Sequence, residues 1–151
     1  IIISIVLLID QLSKIWIKTN LAYHESIEII GNFVRFTYVE NPGIAFGISV
    51  GKFSLIILLL SIAIIIFIIK EIIANKDTFS SIALAMILGG AIGNLIDRIC
   101  MHIPSLNYGG VIDFIDIGTL SYRWYTFNIA DSSVCIGMIG YLLSHKLKVD
   151  N

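Results

Sequence analysis

The chain has 151 residues, of which 57% are hydrophobic and 14% charged, and its formal net charge is -1. A soluble domain carries about 25% charged residues, so this composition excludes an ordinary soluble protein and indicates an integral membrane protein. The ten lysines and arginines are scattered along the sequence. Because nucleic acid is bound by clustered basic side chains, we expect no nucleic-acid partner.

Four apolar segments are candidates for membrane-spanning helices, which take about 20 residues each. They cover approximately residues 1–18, 53–69, 78–96 and 127–144. The second contains no ionisable side chain, whereas the first carries Asp10, Lys14 and Lys18. The chain begins with Ile1 instead of Met and has no basic stretch followed by a small-residue cleavage site. We therefore expect a trimmed leading segment and a first helix that is retained.

Lysines predict the orientation of the four spans. Lys70 and Lys76 lie between the second and third spans, and Lys146 and Lys148 lie in the tail. Cytoplasmic loops carry an excess of Lys and Arg, so both termini are predicted to face the cytoplasm. Residues 19–52 and 98–126 are then predicted to lie at the outer face.

Both outer segments contain strand signals. The stretch IEIIGNFVRFTYVEN has two β-rich runs around Gly31 and Asn32, which predicts a hairpin. The stretch GGVIDFIDI in the second segment is also rich in β-branched and aromatic residues. The sequence thus predicts a mainly α membrane protein, one domain over residues 1–151, with four transmembrane helices and a small extracytoplasmic sheet.

Ionisable side chains inside apolar spans are costly and usually pair with one another. Asp10 and Lys14 are four residues apart, so they share a helical face and are predicted to form a structural ion pair. A Ser/Lys protease, in which a deprotonated Lys14 activates Ser13, is disfavoured. Asp10 would hold the lysine charged, and Ser13 points elsewhere on the helix.

The third span carries small residues at four-residue intervals, namely Ala85, Gly89 and Gly93. Such a stripe is typical of close helix packing. The stripe leads into a polar cluster made of Asn94, Asp97 and Arg98. The sequence leaves open whether this cluster anchors the outer segments or contacts a substrate.

No residue pattern predicts a metal site or a cofactor site. His24, His102 and His145 are far apart, and neither an HExxH motif nor a paired-cysteine spacing occurs. Cys100 and Cys135 are interpreted as packing residues, because nothing marks them as a disulfide or a nucleophile.

Asp113 and Asp131 are the candidate catalytic pair. Asp113 lies in the outer segment that leads into the last span, and Asp131 lies near the start of that span. Two close carboxylates share a proton and can activate water while polarising a carbonyl, as in aspartic proteases. Asp97 and Asp116 are competing acids, and since strand residues alternate, at most one of Asp113 and Asp116 faces the site.

Five short motifs occur in a fixed order, namely DQLSK at 10–14, NPGIAF at 41–46, GNLIDR at 93–98, VIDF at 111–114 and FNIAD at 127–131. Together they closely resemble the five sequence boxes of lipoprotein signal peptidase, the bacterial signal peptidase II family. The resemblance implies an aspartic endopeptidase of the bacterial cytoplasmic (inner) membrane, with an extracytoplasmic β-cradle and a short amphipathic helix near NPGIAF. Such an enzyme removes the signal peptide from diacylglyceryl-modified prolipoproteins, on the N-terminal side of the lipidated cysteine.

The resemblance also assigns roles to individual residues. It makes Asp113 and Asp131 catalytic and leaves Asp116 structural. The residues that it implies bind substrate or support the site are Asp10, Lys14, Asn41, Gly43, Asn94, Asp97, Arg98, Asn128 and Ala130. The implied partners are prolipoprotein substrates, membrane lipid and inhibitors of the globomycin type, and we expect a monomer that needs no cofactor.

Two other classes of protein remain as alternatives. In a small transporter or proton carrier, intramembrane carboxylates would bind an ion, and Asp10 would matter as much as Asp131. In a non-catalytic assembly subunit, the glycine stripe would form the interface with an obligate partner. Neither class requires the five motifs in this order.

Overall fold

The computed structural model describes residues 1–44, 48–49 and 54–149. Its four long helices are α1 (Ile2–Asn20), α2 (Ser54–Ala74), α3 (Thr78–Cys100) and α4 (Ile129–Val149). Its strands are β1 (Ser26–Ile30), β2 (Val34–Asn41), β3 (Gly43–Ile44), β4 (Ile48–Ser49) and β5 (Val111–Ile117). A short 3₁₀ helix, Pro104–Leu106, precedes β5. The predicted short amphipathic helix near NPGIAF lies outside the described residues.

Two of the described helices, α2 and α3, are long and apolar enough to cross a membrane. Their most apolar windows have mean hydropathies of 2.9 and 1.8. α2 continues to Ala74, beyond the predicted end at residue 69, because Lys70 and Glu71 are good helix formers that extend it. The turn before α3 is therefore short, and Asp77 caps α3 by accepting a hydrogen bond from the Ser80 N–H at 2.7 Å.

Helix α3 lies at the centre of the bundle and packs against α1, α2 and α4. Gly89 faces Val6 of α1, and Gly90 faces the backbone of Ala130 in α4, each too closely for a side chain. Gly93 lies against the carboxylate of Asp10. The prediction that the small residues of α3 serve helix packing is confirmed.

Two glycines of α4 provide a matched test of this packing. A methyl group at Gly137 would lie 2.7 Å from the Ala83 carbonyl oxygen, whereas one at Gly140 would lie 3.4 Å from its nearest neighbour. We expect Gly137→Ala to lower the free energy of unfolding by about 1–3 kcal/mol, because it overpacks the α3–α4 contact. Gly140→Ala should leave it unchanged or slightly raised. Thermal unfolding in detergent would measure both, and equal effects would contradict this account.

The predicted outer hairpin and third strand form one antiparallel sheet in the order β1-β2-β5. Gly31, in the turn between β1 and β2, has φ +47°, a conformation that glycine adopts without strain. β2 and β5 pair Val39 with Asp113 and Arg35 with Asp116, with an irregularity between Phe36 and Val39. A separate two-stranded pair joins β3 to β4.

The sheet packs on the C-terminal end of α1. Ile17 of the helix and Leu21, which follows its last residue, form a core with Tyr38, Ile112 and Phe114 of the sheet, all of them buried. β5 thereby lies beside the helical bundle. Any side chain on its bundle-facing surface is brought close to α3 and α4.

Candidate functional site

Asp113 and Asp131 meet at one cavity of about 400 Å³. β5 supplies Asp113, and the first turn of α4 supplies Asp131. Asn128 bridges the two acids. Its side-chain amide donates to Asp113 Oδ1 at 2.7 Å, and its backbone N–H donates to Asp131 Oδ2 at 3.2 Å.

Asn128 and Asp131 together form the N-terminal cap of α4. Asn128 Oδ1 accepts a hydrogen bond from the Asp131 N–H at 2.9 Å, while the Asp131 carboxylate accepts from the Asn128 N–H. This is the reciprocal arrangement of a capping box, with asparagine and aspartate in place of the usual residues. α4 consequently begins at Ile129, two residues later than the predicted 127, because Asn128 caps it and Phe127 pairs with Ile115.

Asp113 is buried, and its surroundings stabilise the protonated form of its carboxyl group relative to a carboxyl group in water. Burial, and next the neighbouring Asp131 carboxylate, raise the pKa of Asp113 to about 7. Hydrogen bonds from Asn41, at 3.3 Å, and Asn128 oppose this rise, as does the charge of Lys14. Asp113 can therefore hold a proton near neutral pH.

Asn94 connects Asp131 to the interior of the bundle. Its Nδ2 donates to Asp131 Oδ1 at 2.8 Å. Its Oδ1 accepts from the Lys14 ammonium group at 2.9 Å and from Asn128 Nδ2 at 3.1 Å. One asparagine of α3 thus contacts residues of α1 and α4 and an acid of the cavity.

Lys14 is the centre of a buried ionic cluster below the cavity. Its ammonium group lies 2.9 Å from Asp10 Oδ2 and 2.9 Å from Asp97 Oδ2, and all three side chains are at most 1% exposed. The predicted Asp10–Lys14 pair is confirmed and extended by Asp97. Asn94 Oδ1 is a third oxygen in contact with the Lys14 Nζ atom. Ser13 donates to the backbone oxygen of Asp10 at 2.8 Å, so the geometry gives no support to Ser/Lys chemistry.

The two carboxylates of this cluster also fix neighbouring backbone. Asp10 Oδ1 accepts from the Ala130 N–H at 2.9 Å, and Asp97 Oδ2 accepts from the Ile112 N–H at 3.2 Å. Ala130 immediately precedes Asp131, and Ile112 immediately precedes Asp113. The buried cluster thus holds the backbone next to each acid of the cavity.

Gln11 belongs to the same cluster, although its sequence context alone predicted no role for it. Its side-chain amide donates to Asp10 Oδ2 at 3.1 Å and to the Gly93 carbonyl oxygen at 3.2 Å. The available signal was a polar amide beside Asp10 in an otherwise apolar span.

Arg98 lines the cavity, whereas Gly43 acts on it through Asn41. The Arg98 Nη1 atom donates a hydrogen bond to the Asn94 carbonyl oxygen at 3.1 Å. The Nε atom of Arg98 is buried without a hydrogen-bond partner among the described residues. Gly43 is not part of the lining next to the acids. Its N–H donates to Asn41 Oδ1 at 3.0 Å, so Gly43 orients Asn41.

Asp116 lies on the opposite face of β5 from Asp113, as the alternation of strand residues predicts. Its carboxylate accepts from Arg123 Nε at 2.6 Å, from Thr37 at 2.9 Å and from Arg35 at 3.2 Å. Partial burial alone would raise its pKa, but the hydrogen bonds from Arg123 and Thr37 and the charges of the two arginines hold the pKa of Asp116 below its ordinary value. Through Arg123, Asp116 holds the loop after β5 in place against the sheet.

One wall of the cavity was not predicted. It consists of Trp124, Tyr125, Thr126 and Phe127 from the chain between β5 and α4, with Val111, Val134 and Cys135. Cys135 was interpreted as a packing residue, but it is exposed and lines the cavity. Its position four residues after Asp131 was the available signal, since residues so spaced share a helical face.

Comparison with known proteins matches most of the chain to one family. The profile of the family described as Signal peptidase (SPase) II matches residues 2–147. A lipoprotein signal peptidase of Syntrophus aciditrophicus is 37% identical, covering 90% of this chain and 84% of its own. One from Moorella thermoacetica is 40% identical, covering 89% and 83%. A solved bacterial membrane enzyme is 33% identical, with a TM-score of 0.86 over 98% of this chain and 87% of its own.

Proposed function

The chain belongs to the signal peptidase II family, and we propose on this basis that it is an aspartic endopeptidase that processes prolipoproteins. It would cleave the signal peptide on the N-terminal side of the diacylglyceryl-modified cysteine. The observation that carries the proposal is the bridge that Asn128 makes between Asp113 and Asp131 at the lining of one cavity.

In the proposed mechanism the two acids have different protonation states. The protonated Asp113 donates a hydrogen bond to the carbonyl oxygen of the scissile peptide. The ionised Asp131 takes a proton from a water molecule, whose oxygen then bonds to the carbonyl carbon. As the C–N bond breaks, the leaving amine of the cysteine receives a proton from the acid pair, and the other product is a carboxylic acid.

The roles of the surrounding residues follow from their contacts. Asn94 and Asn128 donate to the Asp131 and Asp113 carboxylates, so they orient the two acids. Asn41 also donates to Asp113, and Arg98 lies at the cavity surface, where its guanidinium group can bind a substrate carbonyl. Gly43 orients Asn41. The cluster of Asp10, Lys14 and Asp97 supports the two acids from below, and Asp10 does so through the Ala130 N–H.

The proposal places one domain of four spans in the bacterial cytoplasmic membrane, with both termini in the cytoplasm. α1 and α4 would cross the bilayer together with α2 and α3. Their outward faces support this, because Leu8 and Leu12 of α1 and Ile139 and Leu142 of α4 are more than half exposed. The charged residues of α1 up to Lys14 point inward. We further propose that the protein acts as a monomer and binds membrane lipid and globomycin-type inhibitors.

The direct test is cleavage of a prolipoprotein peptide by the purified protein in lipid. A peptide with a diacylglyceryl group on its cysteine should be cut at the bond preceding that cysteine, as mass spectrometry of both products would establish. The same peptide without the lipid should be cut far more slowly. If the wild-type protein cuts neither peptide, the proposed peptidase activity is wrong, and the transporter and the assembly subunit become the functions to test.

The state of Asp113 predicts how cleavage depends on pH. The mechanism needs Asp113 protonated, and its pKa is raised to about 7. We therefore expect kcat/KM to fall as the pH rises through about 7, because Asp113 loses the proton that it donates. Initial rates of peptide cleavage between pH 5 and pH 9 would measure this. A rate that keeps rising above neutral pH would exclude Asp113 as the protonated partner.

A further inference from the structure

We propose that Glu40 is a positioning residue for Asp113, acting with Lys18 through the chain that precedes β5 and through Asn41. This inference rests on the proposed function, since it takes Asp113 as the catalytic acid. Glu40 itself does not line the catalytic cavity. It lies in a second cavity of about 450 Å³, lined by Lys18, Tyr23, Tyr38, Glu40, Asn107, Tyr108 and Gly109.

Both carboxylate oxygens of Glu40 are engaged. Oε1 accepts from the Lys18 ammonium group at 2.7 Å and from Tyr38 Oη at 2.5 Å. Oε2 accepts from the Gly109 N–H at 2.7 Å. Glu40 therefore ties β2 to α1 and to the segment that leads into β5.

Lys18 holds the same segment at a second point. Its ammonium group donates to the Asn107 carbonyl oxygen at 2.7 Å and lies 4.3 Å from the centre of the Tyr108 ring. Asn107 has φ 51°, in the left-handed region, where the chain turns toward β5. Lys18 and Glu40 thus fix the path of residues 107–109.

Gly110, which follows residues 107–109, links their fixed path to the catalytic cavity. Gly110 packs directly on Asn41, since a side-chain carbon at Gly110 would collide with three backbone atoms of Asn41. Asn41 follows Glu40 on β2, where neighbouring side chains point to opposite faces. Glu40 points to the second cavity, while Asn41 points to the catalytic cavity and donates to Asp113 Oδ2 at 3.3 Å. Loss of the Glu40 contacts would let this hydrogen bond lengthen.

The charged and polar groups around Glu40 and Asp113 predict how a variant at Glu40 should change the pKa of Asp113. Burial alone would raise the pKa of Glu40, but hydrogen bonds from Lys18, Tyr38 and Gly109 hold it below its ordinary value, so Glu40 stays ionised at working pH. Tyr108 also faces it.

Asp113 is faced by Asp131 from α4, Lys14 from α1 and Arg98 from α3, and by the amides of Asn41 and Asn128. The Asn41 hydrogen bond lowers the pKa of Asp113. Weakening it should therefore raise that pKa further.

The experiment compares the pH profiles of kcat/KM for the wild type, Glu40→Gln and Glu40→Ala, using the lipidated peptide. We expect the alkaline limb to move up by about half to one pH unit, because a hydrogen bond to the charged form of Asp113 is weakened. The maximal kcat/KM should fall about tenfold through misplacement of Asp113. Lys18→Met, which leaves the Glu40–Gly109 bond in place, should shift the limb in the same direction by less.

Glu28→Gln is the matched control, because it removes an exposed carboxylate from the neighbouring strand β1. It should leave the limb in place. If the Glu40 and Lys18 variants lose activity or melt earlier while the limb does not move, Glu40 is merely structural and the inference is wrong. An inactive wild type, or a fully active Asp113→Asn, would instead overturn the proposed function on which the inference rests.

Discussion

Asp131→Asn is expected to reduce cleavage of the lipidated peptide by at least about 10³-fold, because the substitution removes the group that we propose as the base for water activation. The change is nearly isosteric. The asparagine oxygen can keep one of the two hydrogen bonds that the carboxylate accepts, from Asn94 or from the Asn128 N–H. The fold should therefore survive with a stability loss of about 1 kcal/mol. Initial rates of cleavage and thermal unfolding in detergent would be measured on the same preparation.

Asp113→Asn should be equally inactive, since an amide cannot supply the proton that the mechanism assigns to this position. The two variants combined should be no worse than either alone, because the acids act as one unit. Ser132→Ala, next to Asp131, changes a side chain that donates to the Asn128 carbonyl oxygen and should cleave within about tenfold of the wild type. A folded Asp131→Asn protein with wild-type activity would exclude the proposed mechanism.

Lys14→Met should produce the largest loss of stability, about 3–5 kcal/mol, because it leaves the buried carboxylates of Asp10 and Asp97 without their cation. Methionine has a similar length and shape, so the loss would reflect charge and not volume. The melting temperature in detergent should fall by roughly 10 °C. Activity should fall as well, since these carboxylates hold the backbone beside Asp113 and Asp131.

Lys70→Met is the control for this prediction. Lys70 is exposed near the C-terminal end of α2, so its removal should change the melting temperature by little. Equal melting temperatures of Lys14→Met and wild type at neutral pH would mean that this cluster does not stabilise the fold.

Local sequence patterns were sufficient for the elements and for part of the site. The uncharged runs predicted α2 and α3, and the stretch VIDFIDI predicted β5. The four-residue spacing of Asp10 and Lys14 predicted their pairing. Each of these features depends on residues close together in the chain, where helix or strand periodicity alone decides which side chains share a face.

Contacts between distant segments could not be derived in the same way. The pairing of Lys14 with Asp97 depends on how far α1 and α3 are rotated and offset against each other, which the pattern of neither helix specifies. The same is true of Glu40, whose partners come from α1 and from the chain before β5. The aromatic wall was missed because Trp124 and Tyr125 follow no periodic pattern.

The buried lysine also determines the direction of a hydrogen-bond chain. An ammonium group can only donate, so Lys14 requires the oxygen of the Asn94 amide to face it, and the NH₂ of that amide must then face Asp131. Likewise the Asp131 N–H requires the oxygen of Asn128, which leaves the NH₂ of Asn128 for Asp113. If either amide rotated by 180°, its NH₂ group would face another hydrogen-bond donor and its oxygen would face a carboxylate. The dipoles aimed at the two acids are thus set when the protein folds, and in the proposed reaction they would need no reorientation when charge moves.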